Sequence, residues 1–150
     1  MLLARIGAQV INMAKIKATA KWVGNVRSIV DNSRTHCIVL DLPAAKGGED
    51  KGPTALELAV MSLADCAITI YADIAKKSGV ELSELVAVAE AEQPADSPKL
   101  KNVDLKIKVS GKASKRLLET VWRKTEEKCP VVVIFKDSIP IKIELEASAQ

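Results

Sequence analysis

Polar and apolar side chains alternate from Lys15 to Trp22, with Ile16, Ala18, Ala20 and Trp22 on one face, the period of a half-buried β-strand. Gly24-Asn25 predicts a hairpin turn, Val26 to Val30 the returning strand, and Asp31-Asn32-Ser33 a second turn. Thr35 to Leu40 predicts a third strand, with His36, Ile38 and Leu40 pointing one way and Cys37 and Val39 the other. The period then changes. After a loop from Pro43 to Pro53, Thr54 to Ser78 is an almost wholly apolar helical stretch. Thr54-x-x-Glu57 matches a capping box, while Lys76, Lys77 and Gly79 mark the helix end. A helix apolar on nearly all sides has to run through a core or a subunit interface.

Alternation returns at Leu85 to Ala91 and at Val103 to Val109, predicting two antiparallel strands joined through Gln93 to Lys99. Ser114 to Glu127 predicts an amphipathic helix with Leu117, Leu118, Val121 and Trp122 inward, and Ile139 to Leu145 a last strand. Val131 to Phe135 reads either way: its β-branched residues favour a strand, but Pro130 suits the first turn of a helix.

Composition narrows the function classes. A chain of 150 residues, 48% hydrophobic and 27% charged, suits one domain with a substantial core. The net charge is only +3, no basic run exceeds two residues, and aromatics make up 3% of the chain. Nucleic-acid binding lacks both its electrostatic footprint and its stacking rings. Leu58 to Ala72 is broken by Ser62, Asp65 and Thr69, so it reads as a buried core helix and not as a membrane span. Met1 to Val10 lacks a secretory layout, and Met13 offers an alternative start, leaving residues 1–12 as an extension. The expected compartment is the cytoplasm, where thiols rest reduced and disulfides are transient and catalytic or redox-sensing.

Two cysteines occupy marked positions. Ser62, Asp65, Cys66, Thr69 and Asp73 share one side of the long helix, the main polar stripe on an otherwise apolar surface. Burying unpaired groups costs roughly 1–3 kcal/mol each, so a partner or water is expected to meet that stripe. Cys66 is therefore either inert packing or a thiol beside a polar cleft. Cys129 precedes Pro130, which pushes it out of the helical region. If Pro130 opens a helix, Cys129 is its N-cap and its sulfur faces free amides that favour thiolate. If the fold joins the two cysteines, they can cycle between dithiol and disulfide. Cys37, between His36 and Ile38 in a short strand, reads as core filler. A single histidine and no C-x-x-C exclude a zinc site of ordinary pattern, and neither a Ser/His/Asp set nor a glycine-rich phosphate loop is recognisable.

The segment Gly47-Gly48-Glu49-Asp50-Lys51-Gly52-Pro53-Thr54-Ala55-Leu56-Glu57-Leu58, continuing to Ala64-Asp65-Cys66, resembles the central motif of the OsmC/Ohr superfamily. Cys129-Pro130-Val131 resembles that family's second signature, and the likeness runs from about Ala14 to the end of the chain. The resemblance implies an α+β fold, with antiparallel sheets around long central helices in an intertwined homodimer, the single domain spanning residues 14–150 after an N-terminal extension of residues 1–13. It also implies a Cys-based peroxidase acting on organic hydroperoxides without metal or organic cofactor. Cys66 would be peroxidatic and Cys129 resolving, with re-reduction by a thiol, a lipoylated protein or a thioredoxin-like partner.

The family's peroxidases use an arginine and a glutamate to hold the first thiolate. Arg27 is the nearest match for the arginine, with Arg34 as a fallback; Glu57 is the match for the glutamate, with Glu49 as the substitute. The usual Asn-Pro-Glu start of the helix reads Thr54-Ala55-Leu56 here, with Glu57 one place later, and Asp65 beside Cys66 would raise its pKa. These departures point to the broader OsmC-like branch. A redox sensor on the same fold, or a dimer binding a small apolar molecule with incidental cysteines, are the competing readings.

Overall fold

Three strands, β1 (Thr19–Gly24), β2 (Arg27–Asp31) and β3 (Cys37–Leu40), form an antiparallel sheet in that order. The computed structural model describes residues 14–148, which divide into two compact units at Ala55/Leu56. The sheet belongs to the first unit. Its hairpin turns where the sequence predicts: Gly24 has φ 122° and Asn25 φ 46°, the left-handed region that glycine and asparagine tolerate best. Trp22 Nε1 closes this turn by donating to the Asn25 carbonyl at 2.7 Å. At the second turn, Asp31 accepts from the Ser33 amide and Asn32 from the amides of Arg34 and His36, so short polar side chains satisfy the backbone. The chain then passes through a short 3-10 turn, Ala44–Lys46, into the glycine-rich loop. In this unit Asp41 is the one buried residue among those described, 2% exposed.

The second unit contains α1 (Ala55–Lys77), β4 (Leu82–Glu92), β5 (Lys101–Gly111), α2 (Lys115–Lys128) and α3 (Pro130–Lys136). β4 and β5 pair antiparallel, with Leu85 opposite Val109 and Ala89 opposite Leu105. Tyr71, Ile74, Ala75, Val80 and Val121 form one core cluster, against which Leu82, Leu85, Val109, Leu118 and Trp122 pack. The Tyr71 hydroxyl donates to the Leu118 carbonyl at 3.0 Å, so the buried phenol is satisfied. α1 ends as its sequence predicts. Gly79 adopts φ 71°, and the Val80 amide reaches the Ala75 carbonyl at 2.9 Å, the bond of a Schellman cap. By length and composition α1 could cross a membrane, but Leu63, Ala67, Tyr71, Ile74 and Ala75 are buried within this unit, as in a core helix. Ser114 caps α2 by accepting from the Leu117 amide at 3.2 Å.

Two readings are settled by the structure. Val131 to Phe135 is helical. Pro130 stands at the start of α3, where its fixed φ fits and its missing N–H costs nothing. Ile139 to Leu145, expected as a strand, is not one: it has no regular structure, and Ile139, Ile141, Ile143 and Leu145 are 61–88% exposed. Alternation fits a segment for a ladder, but a strand exists only with a neighbour to bond, and this segment has none among the described residues. The proposed extension, residues 1–13, lies outside the described residues.

Candidate active site

Cys66 sits midway along α1 and packs, with Ile70, against a buried cluster of Leu63, Cys129 and Val132. Cys129 is the single residue joining α2 to α3, C-cap of one and N-cap of the other. Its φ of −75° and ψ of 110° are the extended values that a following proline enforces. Both its backbone groups are used: the N–H donates to Thr125 at 2.8 Å and the carbonyl accepts from Val133 at 3.1 Å. The joint is thereby fixed, and it aims the thiol at α1. Cys129 Sγ lies 2.7 Å from Cys66 Sγ across 63 residues of sequence, with both thiols reduced. Cys129 is fully buried, whereas Cys66 is partly exposed.

The thiol of Cys66 is held above its ordinary pKa. Burial is the main cause, followed by its hydrogen bond with Cys129 and by charge repulsion from Cys129 and Asp65; the hydrogen bond from the Val131 amide opposes them without prevailing. The peroxidatic role needs the opposite direction, so this environment alone does not supply a ready thiolate. Cys66 meets Cys129, but three other polar members of its stripe turn to their own helix. Ser62 donates to the Ala59 carbonyl, Thr69 to the carbonyl of Cys66, and Asp73 pairs with Lys77. The stripe is largely satisfied within its own helix.

A second cluster lies in the first unit. Arg27 donates through Nε and Nη2 to Oδ2 of Asp41, at 3.2 and 3.1 Å, and Nη2 also bonds Glu49. Asp41 also accepts three backbone amides, from Leu42 at 2.9 Å and from Glu49 and Lys51 at 3.2 Å. Burial pushes its carboxyl up, but the amides of Lys51, Leu42 and Glu49 and the Arg27 guanidinium more than offset this, leaving it below the usual carboxylate range. Arg27 is pushed up by Glu49 and then Asp41, so it stays a cation. The loop can wrap this carboxylate only because Gly48 and Gly52 lack side chains: a Cβ there would stand 1.8 Å from the Leu42 carbonyl oxygen and 2.1 Å from that of Val39.

The sequence-predicted residues thus fall into two groups. Cys66 meets Cys129, and Arg27 meets Glu49. Arg34 lies in the β2–β3 turn, at the opposite end of β3 from Asp41, and Glu57 stands in the first turn of α1. Cys37, read as core filler, is exposed. Asp41 was missed; its signal is a lone acid closing the apolar run Cys37 to Leu40, shortly before Gly47-Gly48.

The architecture is α+β, with two small antiparallel sheets and three helices. Residues 48–144 match the family described as OsmC-like protein, and the chain belongs to that family. A solved OsmC-like protein from Mycoplasma pneumoniae is similar at 15% identity, over 83% of this chain and 89% of that one, with a TM-score of 0.73. An organic hydroperoxide resistance protein OsmC from Legionella pneumophila is similar at 20% identity over 83% and 90%, TM-score 0.63. An organic hydroperoxide resistance protein from Elizabethkingia anophelis, with thiocyanate bound, is similar at 16% identity over 85% and 92%, TM-score 0.65. At such identities the likeness is one of fold. Among curated proteins none matches.

Proposed function

We propose that this protein is a thiol-dependent peroxidase that reduces organic hydroperoxides. The observation that carries the reading is the reduced sulfur pair 2.7 Å apart, one member partly exposed and the other buried. The Cys66 thiolate attacks the terminal peroxide oxygen; the O–O bond breaks, the alkoxide leaves and takes a proton, and Cys66 becomes a sulfenic acid. Cys129 then displaces that hydroxyl as water and closes the disulfide, which a dithiol, lipoyl or thioredoxin-like reductant reopens by exchange. A groove of about 330 Å³, lined by Leu63, Val103, Leu105, Trp122, Val132 and Phe135, shares Leu63 and Val132 with the wall around Cys129. It suits the apolar body of an organic hydroperoxide.

In this reading, following the family resemblance, Arg27 and Glu57 assist the thiolate, with Arg34 and Glu49 as the alternatives. The working form is a homodimer. Support comes from the exposed alternation at Ile139 to Leu145 and from β1 and β3 standing at the two edges of the first sheet. The resemblance of the solved neighbours named for organic hydroperoxide resistance agrees with the substrate class.

The test is consumption of cumene hydroperoxide with dihydrolipoamide or dithiothreitol as reductant. Cys66→Ser is expected to abolish turnover; Cys129→Ser is expected to leave one round and trap a sulfenic acid. Continued catalytic consumption by both variants would overturn the thiol mechanism. The raised thiol of Cys66 favours a second reading, a redox sensor whose disulfide forms once and slowly. Stoichiometric oxidation without turnover would select it.

A further inference from the structure

We propose that the reductant enters at the same sulfur as the peroxide: in the disulfide of Cys66 and Cys129 it attacks Cys66 Sγ and not Cys129 Sγ, and a neutral thiol does so faster than an anionic one. The inference rests on the reading that the two thiols cycle through a disulfide. Its own support is the burial of one sulfur and the surroundings of the other. Cys129 is 0% exposed, and Leu63 and Val132, which pack with it, are buried too. Thr125, whose carbonyl holds the Cys129 N–H, is likewise fully buried. Cys129 is the single residue between α2 and α3, and both its backbone groups are bonded. Its side chain therefore cannot turn outward without unwinding the end of one helix or the start of the other. Joining the sulfurs draws a separation of 2.7 Å in to a bond of about 2 Å, a movement too small to bring Cys129 to the surface. Cys66, by contrast, is partly exposed on α1. Exchange requires the incoming thiolate to reach the sulfur it attacks, and here that sulfur is Cys66. The reductant's sulfur bonds to Cys66, the bond between Cys66 and Cys129 breaks, and Cys129 leaves as a thiolate that takes up a proton. A second thiolate of the reductant then attacks the reductant's own bound sulfur, and Cys66 leaves in turn. Two reductant thiols are thereby oxidised to one disulfide, and the protein pair is reduced. Exposed Asp65 adjoins Cys66 along α1, and its charge opposes a thiolate there. A reductant carrying a further negative charge meets that repulsion twice over, a neutral thiol only in its thiolate.

The test is run in a Cys37→Ser background, which removes the exposed third thiol. The protein is oxidised with cumene hydroperoxide, treated with excess 2-mercaptoethanol and quenched in acid, and the freed thiol is then alkylated with N-ethylmaleimide. Peptide mass spectrometry locates the mercaptoethanol adduct. The expected product carries the adduct on Cys66 and the maleimide on Cys129, at least about 10-fold over the reverse, because a buried sulfur is attacked only on local opening. The disulfide is expected to be lost more slowly with 2-mercaptoethanesulfonate than with 2-mercaptoethanol. Asp65→Asn is expected to raise the sulfonate rate about 2-fold more than the neutral one. An adduct mainly on Cys129, or divided evenly between the two, overturns the proposal, as does a ratio of sulfonate to neutral rates that D65N leaves unmoved. If peroxide forms no disulfide, the peroxidase reading has failed instead. Diamide then makes the same disulfide, and the point of attack is read as before, so the two failures are told apart.

Discussion

Cys129 Sγ stands 2.7 Å from Cys66 Sγ, yet only Cys66 meets solvent. A reagent arriving from water therefore finds one sulfur first, and the other is placed to follow. Brief treatment with iodoacetamide is expected to label Cys66 at least about 10-fold faster than Cys129, because a fully buried thiol reacts only on local opening. Peptide mass spectrometry checks this, with exposed Cys37 as the internal positive control. Faster labelling at Cys129 would reverse the roles.

Reactivity is expected to rise with pH. The Cys66 thiol lies above its ordinary value, first through burial and then through Cys129, so its thiolate fraction is still climbing where a free thiol has nearly levelled off. Single-turnover oxidation by peroxide should increase from neutral pH well into the alkaline range. Cys129→Ser weakens two of the causes and is expected to shift the curve towards lower pH.

Acid stability depends on Asp41. Its folded pKa is below the unfolded value, so its contribution is complete above the unfolded carboxylate range of about 4 and is lost as pH falls through the folded value. Thermal melts between pH 7 and pH 2 are expected to show a decline in Tm at the acid end. Asp41→Asn should melt lower at pH 7 and lose less on acidification; an identical acid limb in the two proteins would count against the assignment.

Gly48→Ala and Gly52→Ala are expected to destabilise strongly, since each new Cβ meets backbone rather than a movable side chain. A cost of about 2 kcal/mol or more places them in the upper range for point substitutions, and Tm should fall by ~4–10 °C. Gly47→Ala meets nothing within 4 Å but must hold φ 86°, so its cost is one of backbone strain alone.

Dimerisation is expected to require the C-terminal segment. Ile141→Glu with Ile143→Glu places charges on the alternating apolar face, and sedimentation is expected to report a dimer for the unaltered chain and a monomer for the variant. An unchanged dimer would exclude the segment from the interface.

The sequence made the local elements readable wherever chemistry and period agreed. Gly24-Asn25 marked its turn, Gly79 its helix end and Ser114 its cap because each satisfies a backbone need visible within a few residues. Cys66 and Cys129 could be named as a pair only through a resemblance, since nothing between them encodes a meeting across 63 residues. Asp41 escaped because its donors come from Arg27 and from loop amides up to ten positions away, an arrangement that no periodicity signals. Ile139 to Leu145 showed the opposite failure: its pattern was clear, but a pattern cannot provide the neighbour that a ladder requires.

The position of Cys129 between α2 and α3 has a mechanical result. Bonding its sulfur to the midpoint of α1 would ring-close a stretch of 63 residues, which restricts the unfolded chain by about 4 kcal/mol on loop-entropy grounds. The oxidised form would be the tougher one, riveted across three helices until a reductant arrives. In the peroxidase reading, each cycle would pass through a moment of stiffening and a moment of release.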